Sequence, residues 1–246
     1  MKIQYFGDVN DYRKYALLRL LAKEGGFKIG VCWMLTEDDG GPHGKNRGYR
    51  EEPSKWRGFD PELFDLLTAL PNRPSLADFQ RIERQGLIPE AIYFEDLTPD
   101  PLTERNKFHH NCLAKLAAVD LVFFDPDNGL KVPSRHMGRK GSNKYVCYDE
   151  IAAHYAAGQS ALVYQHFPMN EQRPDFLERV STLIREETRN ANVWSFETPH
   201  VAFILAAQPA HASSIHAVVQ AVEQKWTPRF FRVVRRHDEL VHNEAE

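Results

Sequence analysis

Short apolar runs of strand length alternate along this chain with amphipathic segments of helix length. This alternation limits the possible folds more than any other feature. Val119–Asp125 is a clear buried strand, and Phe27–Leu35 and Ala161–Phe167 have the same character. Near-continuous apolar runs are typical of parallel strands that are covered on both faces. The alternation therefore predicts an α/β fold with a Rossmann-like, mostly parallel sheet and helices on both faces.

The helices are indicated by apolar residues at i+3 and i+4 spacing, together with local start and stop signals. They are predicted at Tyr12–Lys23, Pro61–Leu70, Ser75–Gln85, Leu102–Ala118, Asp149–Ala157, Pro174–Arg189 and Ala212–Trp226. Asn10 or Asp11 is expected to cap the first of these helices. Ala91–Leu97 is predicted as one further short strand, and the polar segment Gly40–Gly58 as a loop.

The C-terminal part of the chain departs from the parallel pattern. Asn192–Glu197 and Val201–Ala207 are strand-like runs joined by only a few residues. A link this short predicts an antiparallel strand pair, so the sheet is expected to be mixed. Phe230–Arg235 is predicted as an edge strand. The 246 residues fit a single α/β domain with a helical insertion at about 50–90.

Composition excludes several classes of protein. The formal net charge of −3 excludes a polybasic protein, although not a local basic patch. Cys32, Cys112 and Cys147 form no CxxC pair, which argues against a disulfide framework and against a thiolate zinc site. No apolar run approaches the length of a membrane-spanning helix, and the N-terminal sequence is polar. We expect a cytoplasmic protein without a membrane partner, and its oligomeric state stays open.

Polar clusters follow three of the predicted strands. They are Glu37–Gly41, Asp125–Gly129 and Gln165–Pro168. Each cluster also has the composition of an ordinary turn. Ligands of open α/β sheets bind outside the carboxyl ends of the strands, so neighbouring strands would place these clusters around one mouth. The sequence predicts a site there, with Asp125 as its principal residue and with Asp127, Asn128 and His166 beside it.

Two further groups of residues are candidates for binding an anionic ligand. Asp8, Asn10 and Asp11 are first of all helix-capping residues, but a helix start beside a cleft also binds anions, with help from Arg13 and Lys14. Basic residues cluster at Lys131, Arg135, Arg139, Lys140 and Lys144, and again at Arg229, Arg232, Arg235 and Arg236. Such clusters are solvated surfaces or contacts for a nucleic-acid backbone. Trp33, Trp56 and Tyr49 either belong to the core or stack on bases.

With these residues, the chain resembles class I S-adenosylmethionine-dependent methyltransferases, and within them the large-subunit ribosomal RNA adenine methyltransferases of bacteria. The N-terminal segment Gly7–Asp11 with Lys14 is similar to a segment that precedes the first helix of that family. Asp125-Pro126-Asp127-Asn128 occupies the place of the family's catalytic Asp-Pro-Pro-Tyr motif, and Tyr164–Pro168 resembles its next strand end. The motifs Gly7–Tyr12 and Asp125–Gly129 are also similar to those of an uncharacterised bacterial family, which implies no activity.

The resemblance implies S-adenosylmethionine as cofactor and a nucleic-acid amine as substrate. Asp125 would orient that amine, with Pro126 shaping the turn. Asp38 or Asp39, with Gly40 and Gly41, would hold the amino-acid part of the cofactor, and Glu95 or Asp96 its ribose. The chain differs from the family in two places: the segment after the first strand is acidic and lacks a G-x-G element, and no aromatic residue follows Asp125-Pro126.

Two alternatives remain open at the level of the sequence. Asp38, Asp39, Asp125 and Asp127 could bind Mg²⁺ in a phosphodiesterase or nuclease, assisted by His166 or Lys144. Alternatively, the site is catalytically degenerate and the scaffold presents its basic segments to a nucleic-acid or protein partner.

Overall fold

The structure is a computed structural model that describes residues 2, 6–37, 46–72, 74–189 and 191–236. Its helices are α1 (Val9–Gly25), α2 (Pro53–Trp56), α3 (Pro61–Thr68), α4 (Leu76–Arg84), α5 (Leu102–Lys115), α6 (Tyr148–Ala156), α7 (Arg173–Thr188) and α8 (Ala212–Lys225). Its strands are β1 (Ile29–Cys32), β2 (Ile92–Phe94), β3 (Leu121–Phe124), β4 (Gly129–Leu130), β5 (Tyr145–Val146), β6 (Ser160–His166), β7 (Asn192–Glu197), β8 (Val201–Ala207) and β9 (Arg232–Arg236). The predicted alternation of strands and helices is confirmed.

Seven strands form one mixed sheet in the order β2-β1-β3-β6-β8-β7-β9. The first four of these pair in parallel. Strand β8 runs antiparallel to both of its neighbours, and β9 runs antiparallel to β7. The predicted fold class, mostly parallel with a C-terminal antiparallel pair, is therefore confirmed. The remaining two strands, β4 and β5, pair in parallel as a separate short ribbon.

The order of the strands creates a switch point between β1 and β3. The chain leaves β1 toward β2 on one side, whereas it leaves β3 toward β6 on the other. Because the two connections diverge, a crevice forms at the carboxyl ends of these two strands, which is where open α/β sheets bind ligands. The register places Cys32 opposite Phe124 at this edge.

Both faces of the sheet are covered. In β3, Leu121 and Phe123 belong to the core on one face, while Val122 and Phe124 belong to the core on the other. This follows from the alternation of side chains along a strand. Helices α1, α3, α4 and α8 contribute buried side chains to the first core, and α5, α6 and α7 contribute to the second. Apolar side chains thus exclude water from both faces of the sheet.

Helix α1 begins earlier than its apolar pattern predicts. The capping residue is Asp8, whose carboxylate accepts hydrogen bonds from the backbone N–H groups of Asn10 and Asp11. The prediction of Asn10 or Asp11 as cap is wrong, since both residues lie inside the helix. All three residue types are good caps, so local preference did not decide among them. The structure selects Asp8 because Asp11 turns back to accept a hydrogen bond from Gly7 N at 2.7 Å.

The segment before α3 contains more regular structure than its composition predicts. Of the predicted loop Gly40–Gly58, residues 40–45 lie outside the described residues. The remainder contains a 3₁₀ turn at Gly48–Glu51, then α2, and the start of a second 3₁₀ turn at Arg57–Phe59. Local propensity for such short helices is weak, and they are held by tertiary contacts such as that of Tyr12 Oη with Trp56 O at 2.8 Å.

Among the described residues, no helix is both long enough and apolar enough to cross a membrane.

Candidate active site at the carboxyl edge of the sheet

A buried ion-pair network lies at the switch point. Lys14 Nζ donates to Asp125 Oδ2 at 2.6 Å and to Asp11 Oδ1 at 2.7 Å. All three side chains are at least nine-tenths buried. Asp11 and Lys14 are three residues apart on α1, which places them on one side of that helix. Asp125 N donates to Cys32 O at 3.1 Å, so the Asp125 backbone bridges the ends of β3 and β1.

Burial and ion pairing act in opposite directions on the pKa values of this network. Burial disfavours the charged form of Lys14, but Asp11 and Asp125 outweigh burial and raise the Lys14 pKa above its ordinary value. Burial raises the pKa of Asp125 above its ordinary value, while the Lys14 ammonium opposes that rise. One ammonium group thus compensates two carboxylates away from water. Loss of any one of the three charges would leave a buried charge without full compensation.

Aromatic rings complete the surroundings of Lys14. Its Nζ lies 5.3 Å from the centre of the Tyr164 ring and 5.5 Å from that of Trp33. The Tyr164 ring packs edge-on against the His166 ring at a centroid distance of 4.9 Å. The alternation of β6 puts Tyr164 and His166 on the same face of the sheet. Lys14 and His166 are therefore connected through Tyr164, a residue that the motif analysis did not assign to the site.

His166 is the open part of the site. Its side chain is exposed at the end of β6, although protein atoms surround the rest of the ring. Desolvation by these atoms is the largest influence and lowers the His166 pKa below its ordinary value. The Lys14 ammonium lowers it further, and the Asp127 carboxylate opposes both. The imidazole is consequently neutral near pH 7 and can accept a proton.

The turn after β3 is fixed by bonds to two other segments. Thr36 Oγ1 donates to Asp127 Oδ2 at 2.6 Å, and Asn128 N donates to Lys144 O at 2.9 Å. Gly129 has φ +99°, and a Cβ there would lie 2.4 Å from Gln165 Oε1. Only glycine allows this approach, which lets Gln165 accept a hydrogen bond from Leu130 N. The structure thus joins the predicted clusters at Asp125–Gly129 and Gln165–Pro168.

The predicted cofactor residues are placed only in part. Asp38, Asp39, Gly40 and Gly41 lie outside the described residues. Glu95 follows β2 directly and is exposed at the carboxyl end of the strand that neighbours β1. Burial, and next the contact with Glu95, raise the pKa of Glu83 to about 9. Glu83 also accepts a hydrogen bond from the indole of Trp33, which follows β1.

The basic residues predicted to bind substrate do not form one surface. Arg139 and Lys140 are exposed in the segment before β5, where Asp100 accepts hydrogen bonds from Gly141 N and Asn143 N. Arg13 lines a different cleft. In the C-terminal cluster, Arg232, Arg235 and Arg236 are bound to protein partners, namely Glu197, Asn192 and again Glu197.

The carboxylates of the metal hypothesis are held by other groups. Asp125 binds Lys14, and Asp127 binds Thr36. Within the described ranges, no three His, Cys, Asp or Glu side chains are placed to hold a metal ion together. The other two residues of that hypothesis, Asp38 and Asp39, lie outside those ranges. The arrangement is that of a polar site organised by a lysine.

The pKa of Asp8 leads to a prediction about stability. Burial, and next the Asp11 carboxylate, raise the Asp8 pKa from 3.8 to about 7. The folded state then holds this proton more tightly than the unfolded state, so stability falls as the pH rises from about 4 to about 7. Asp8→Asn keeps the helix cap but removes the titration. Urea unfolding of this variant should show a smaller loss of stability over that interval.

The control for Asp8→Asn is Asp175→Asn, which changes an exposed residue in the first turn of α7. Its stability should follow that of the unmodified protein at every pH. Parallel curves for Asp8→Asn and the unmodified protein would contradict a raised pKa at Asp8.

Comparison with known proteins adds no relative. No family model, no curated protein and no solved structure matches this chain. Function therefore has to be argued from the site itself.

Proposed function

We propose that the chain is a methyltransferase-like enzyme that uses S-adenosylmethionine and acts on an amine in nucleic acid. The observation that carries this proposal is the place of Asp125: it lies at the switch point of the sheet, at the end of β3, fixed by Lys14. The strand order supports it further. The closing antiparallel strands, in which β8 pairs with β6 and β7, are similar to those of the class I methyltransferases that the sequence resembles.

One described residue, Glu95, supports the proposed cofactor site. Glu95 presents an exposed carboxylate after β2, beside the switch point, where acidic residues of dinucleotide-binding folds hold ribose hydroxyls. When bound, S-adenosylmethionine supplies an electrophilic methyl group on sulfur. The residues Asp38–Gly41 are proposed for its amino-acid part on the strength of the resemblance alone.

The chain's own residues would then position the acceptor. Asp125 would accept a hydrogen bond from the target amine and so orient the nitrogen lone pair. Lys14 keeps the Asp125 carboxylate in place, and Asp11 balances the Lys14 charge. His166, neutral near pH 7, would accept the proton that the amine releases after methylation. Pro126, Asp127 and Asn128 would shape the turn around the target base.

Thermal melting with separate ligands tests the proposal. S-adenosylmethionine, S-adenosylhomocysteine, Mg²⁺ and Mn²⁺ are added individually to the purified protein. A ligand in about 100-fold excess over its dissociation constant stabilises the folded state by about 2.7 kcal/mol. We expect a higher melting temperature with S-adenosylhomocysteine. A shift with metal alone that is lost in Asp125→Ala would instead favour the phosphodiesterase. The absence of any shift would favour a binding module.

Glu95→Gln tests the ribose contact. We expect this variant to bind S-adenosylhomocysteine about tenfold more weakly or worse, because hydrogen bonds to a charged group contribute about 1.5–3 kcal/mol. Isothermal titration measures the change. Glu104→Gln is the matched control, since Glu104 is exposed on α5. Equal affinity of Glu95→Gln and the control would remove Glu95 from the cofactor site.

A further inference from the structure

A second cleft, distinct from the Asp125 network, opens beside the start of α1. Its volume is about 490 Å³. Val9 and Arg13 of α1 form one wall, and the 46–56 segment, including Tyr49 and Trp56, forms another. The turn between β7 and β8 contributes His200, and Arg229 closes the remaining side. We refer to this as the Arg13 cleft.

Among the described residues, Arg13 is a buried cation that forms no salt bridge, although the Asp8 carboxylate acts to raise its pKa. The residue is only 3% exposed. Its Nη2 donates to a backbone carbonyl, Arg229 O, at 3.3 Å, and its Nε has no hydrogen-bond partner among the described residues. The guanidinium packs over the rings of Trp56 and Phe230, at 5.3 and 6.0 Å from their centres. Burial lowers the Arg13 pKa to about 10, which still leaves it charged at neutral pH.

Other deeply buried arginines of this protein are compensated. Arg105 makes two hydrogen bonds to Glu150, and Arg19 forms ion pairs with Asp60 and Glu62. Leaving a buried charge unpaired is costly. In the part of the chain that the structure describes, Arg13 makes no such ion pair. This difference points to an anion that the described residues do not supply.

A second donor of the same cleft is Trp56 Nε1. Within the described residues it is buried and makes no hydrogen bond of ordinary geometry, although the Glu52 carboxylate lies near enough to interact with it, whereas Trp226 Nε1 donates to Phe59 O at 3.1 Å. Arg229 and His200 are exposed at the rim and add further donors. These nitrogen donors suit a ligand that has only acceptor oxygens, which is the chemistry of a phosphate group.

The rim also contains carboxylates, which restrict the kind of phosphate. Glu51 and Glu52 line the cleft and are exposed, and Glu52 pairs with Lys55. These negative charges repel a free phosphate dianion more than a singly charged diester. The aromatic wall is also typical of sites that follow a single nucleic-acid strand.

We propose that the Arg13 cleft binds one phosphodiester group of a nucleic-acid strand. Arg13 and Trp56 Nε1 are the inner donors, and Arg229 and His200 contact the same strand at the rim. The identification of the ligand as nucleic acid rests on the proposed function, whereas the need of Arg13 for an anion does not.

Binding of labelled single-stranded oligonucleotides tests this site, by fluorescence anisotropy without S-adenosylmethionine. We expect Arg13→Gln to weaken binding about tenfold or more, because a charge-assisted hydrogen bond is lost. The salt dependence of log K should become shallower by about one unit for the lost phosphate contact. Arg229→Gln, an exposed change, should act in the same direction even where Arg13→Gln disturbs folding. Trp56→Phe keeps an aromatic side chain but removes the Nε1 donor, and it should also weaken oligonucleotide binding.

Arg81→Gln is the matched control, since Arg81 is largely exposed on α4 and does not line the cleft. Oligonucleotide affinity that is equal in Arg13→Gln, Arg229→Gln and the control would overturn the proposal. Stabilisation by inorganic phosphate through Arg13, with oligonucleotide binding independent of Arg13, would overturn the assignment to a diester. Oligonucleotide binding that depends on Arg13 in a protein without methyl transfer would keep the cleft and remove the methyltransferase.

Discussion

Asp125→Asn is expected to lower the rate of methyl transfer to a nucleic-acid amine by about 100-fold or more. An effect of this size is typical when one preorganised polar contact to the reacting centre is lost. Asparagine has nearly the shape of aspartate, and its amide oxygen can still accept from Lys14. It has no negative charge, however, and its NH₂ group cannot accept a hydrogen bond from the target amine.

The measurement is transfer of a radiolabelled methyl group to mixed RNA and DNA, with S-adenosylhomocysteine binding measured in parallel. Cofactor binding should be retained, since Asp125 is proposed to contact the acceptor. Asp175→Asn, an exposed change on α7, should leave the rate unchanged. If Asp125→Asn transfers methyl groups at the rate of the unmodified protein, Asp125 does not orient the acceptor.

Lys14→Met should have the largest effect on stability, a loss of about 3–5 kcal/mol. Removing one partner of a buried ion pair leaves uncompensated charge, and here two carboxylates, Asp11 and Asp125, would be left together. Without the ammonium, the pKa of Asp125 rises further above its unfolded value. The folded carboxyl then binds its proton more tightly, so the loss of stability should grow as the pH rises.

Urea unfolding at several pH values measures this loss. Lys23→Met is the control on the same helix, and since Lys23 is exposed its change should stay within about 0.5 kcal/mol. The double variant Lys14→Met with Asp125→Asn should lose less than the sum of the two single changes, because their side chains are in contact. Equal losses in Lys14→Met and Lys23→Met would show that the network does not stabilise the fold.

The edge of the site could be predicted from single strands. An apolar strand that ends in a carboxylate places that carboxylate at the sheet edge, and the structure has Asp125 at the end of β3 as this argument predicts. The strand-end argument did not point to Tyr164, because Tyr164 lies inside the apolar run of β6. The alternation of β6, with His166 exposed two residues later, was the signal that could have found it.

The residues of the Arg13 cleft could be predicted only separately, and not as one site. The sequence identified Arg13, Trp56 and Arg229 as candidates for contact with an anion or a base, but in three separate arguments. Whether an arginine is paired depends on every segment that folds around it, and such a pairing leaves no local pattern. Arg13 and Arg19 both lie on α1, but of these two only Arg19 forms ion pairs among the described residues, with Asp60 and Glu62.

The sequence by itself determined the class of the fold and its longer helices and strands, because hydrophobic periodicity acts over a few residues. It did not predict α2, β4 or β5. Those local signals were strong in β3 and in the antiparallel pair β7 and β8. Only the tertiary structure decided the order of the strands and the partners of Asp125. Lys14 lies 111 positions from Asp125 and Thr36 lies 91 from Asp127. Contacts of this separation depend on packing of the whole chain, which joins α1 to the switch point of the sheet.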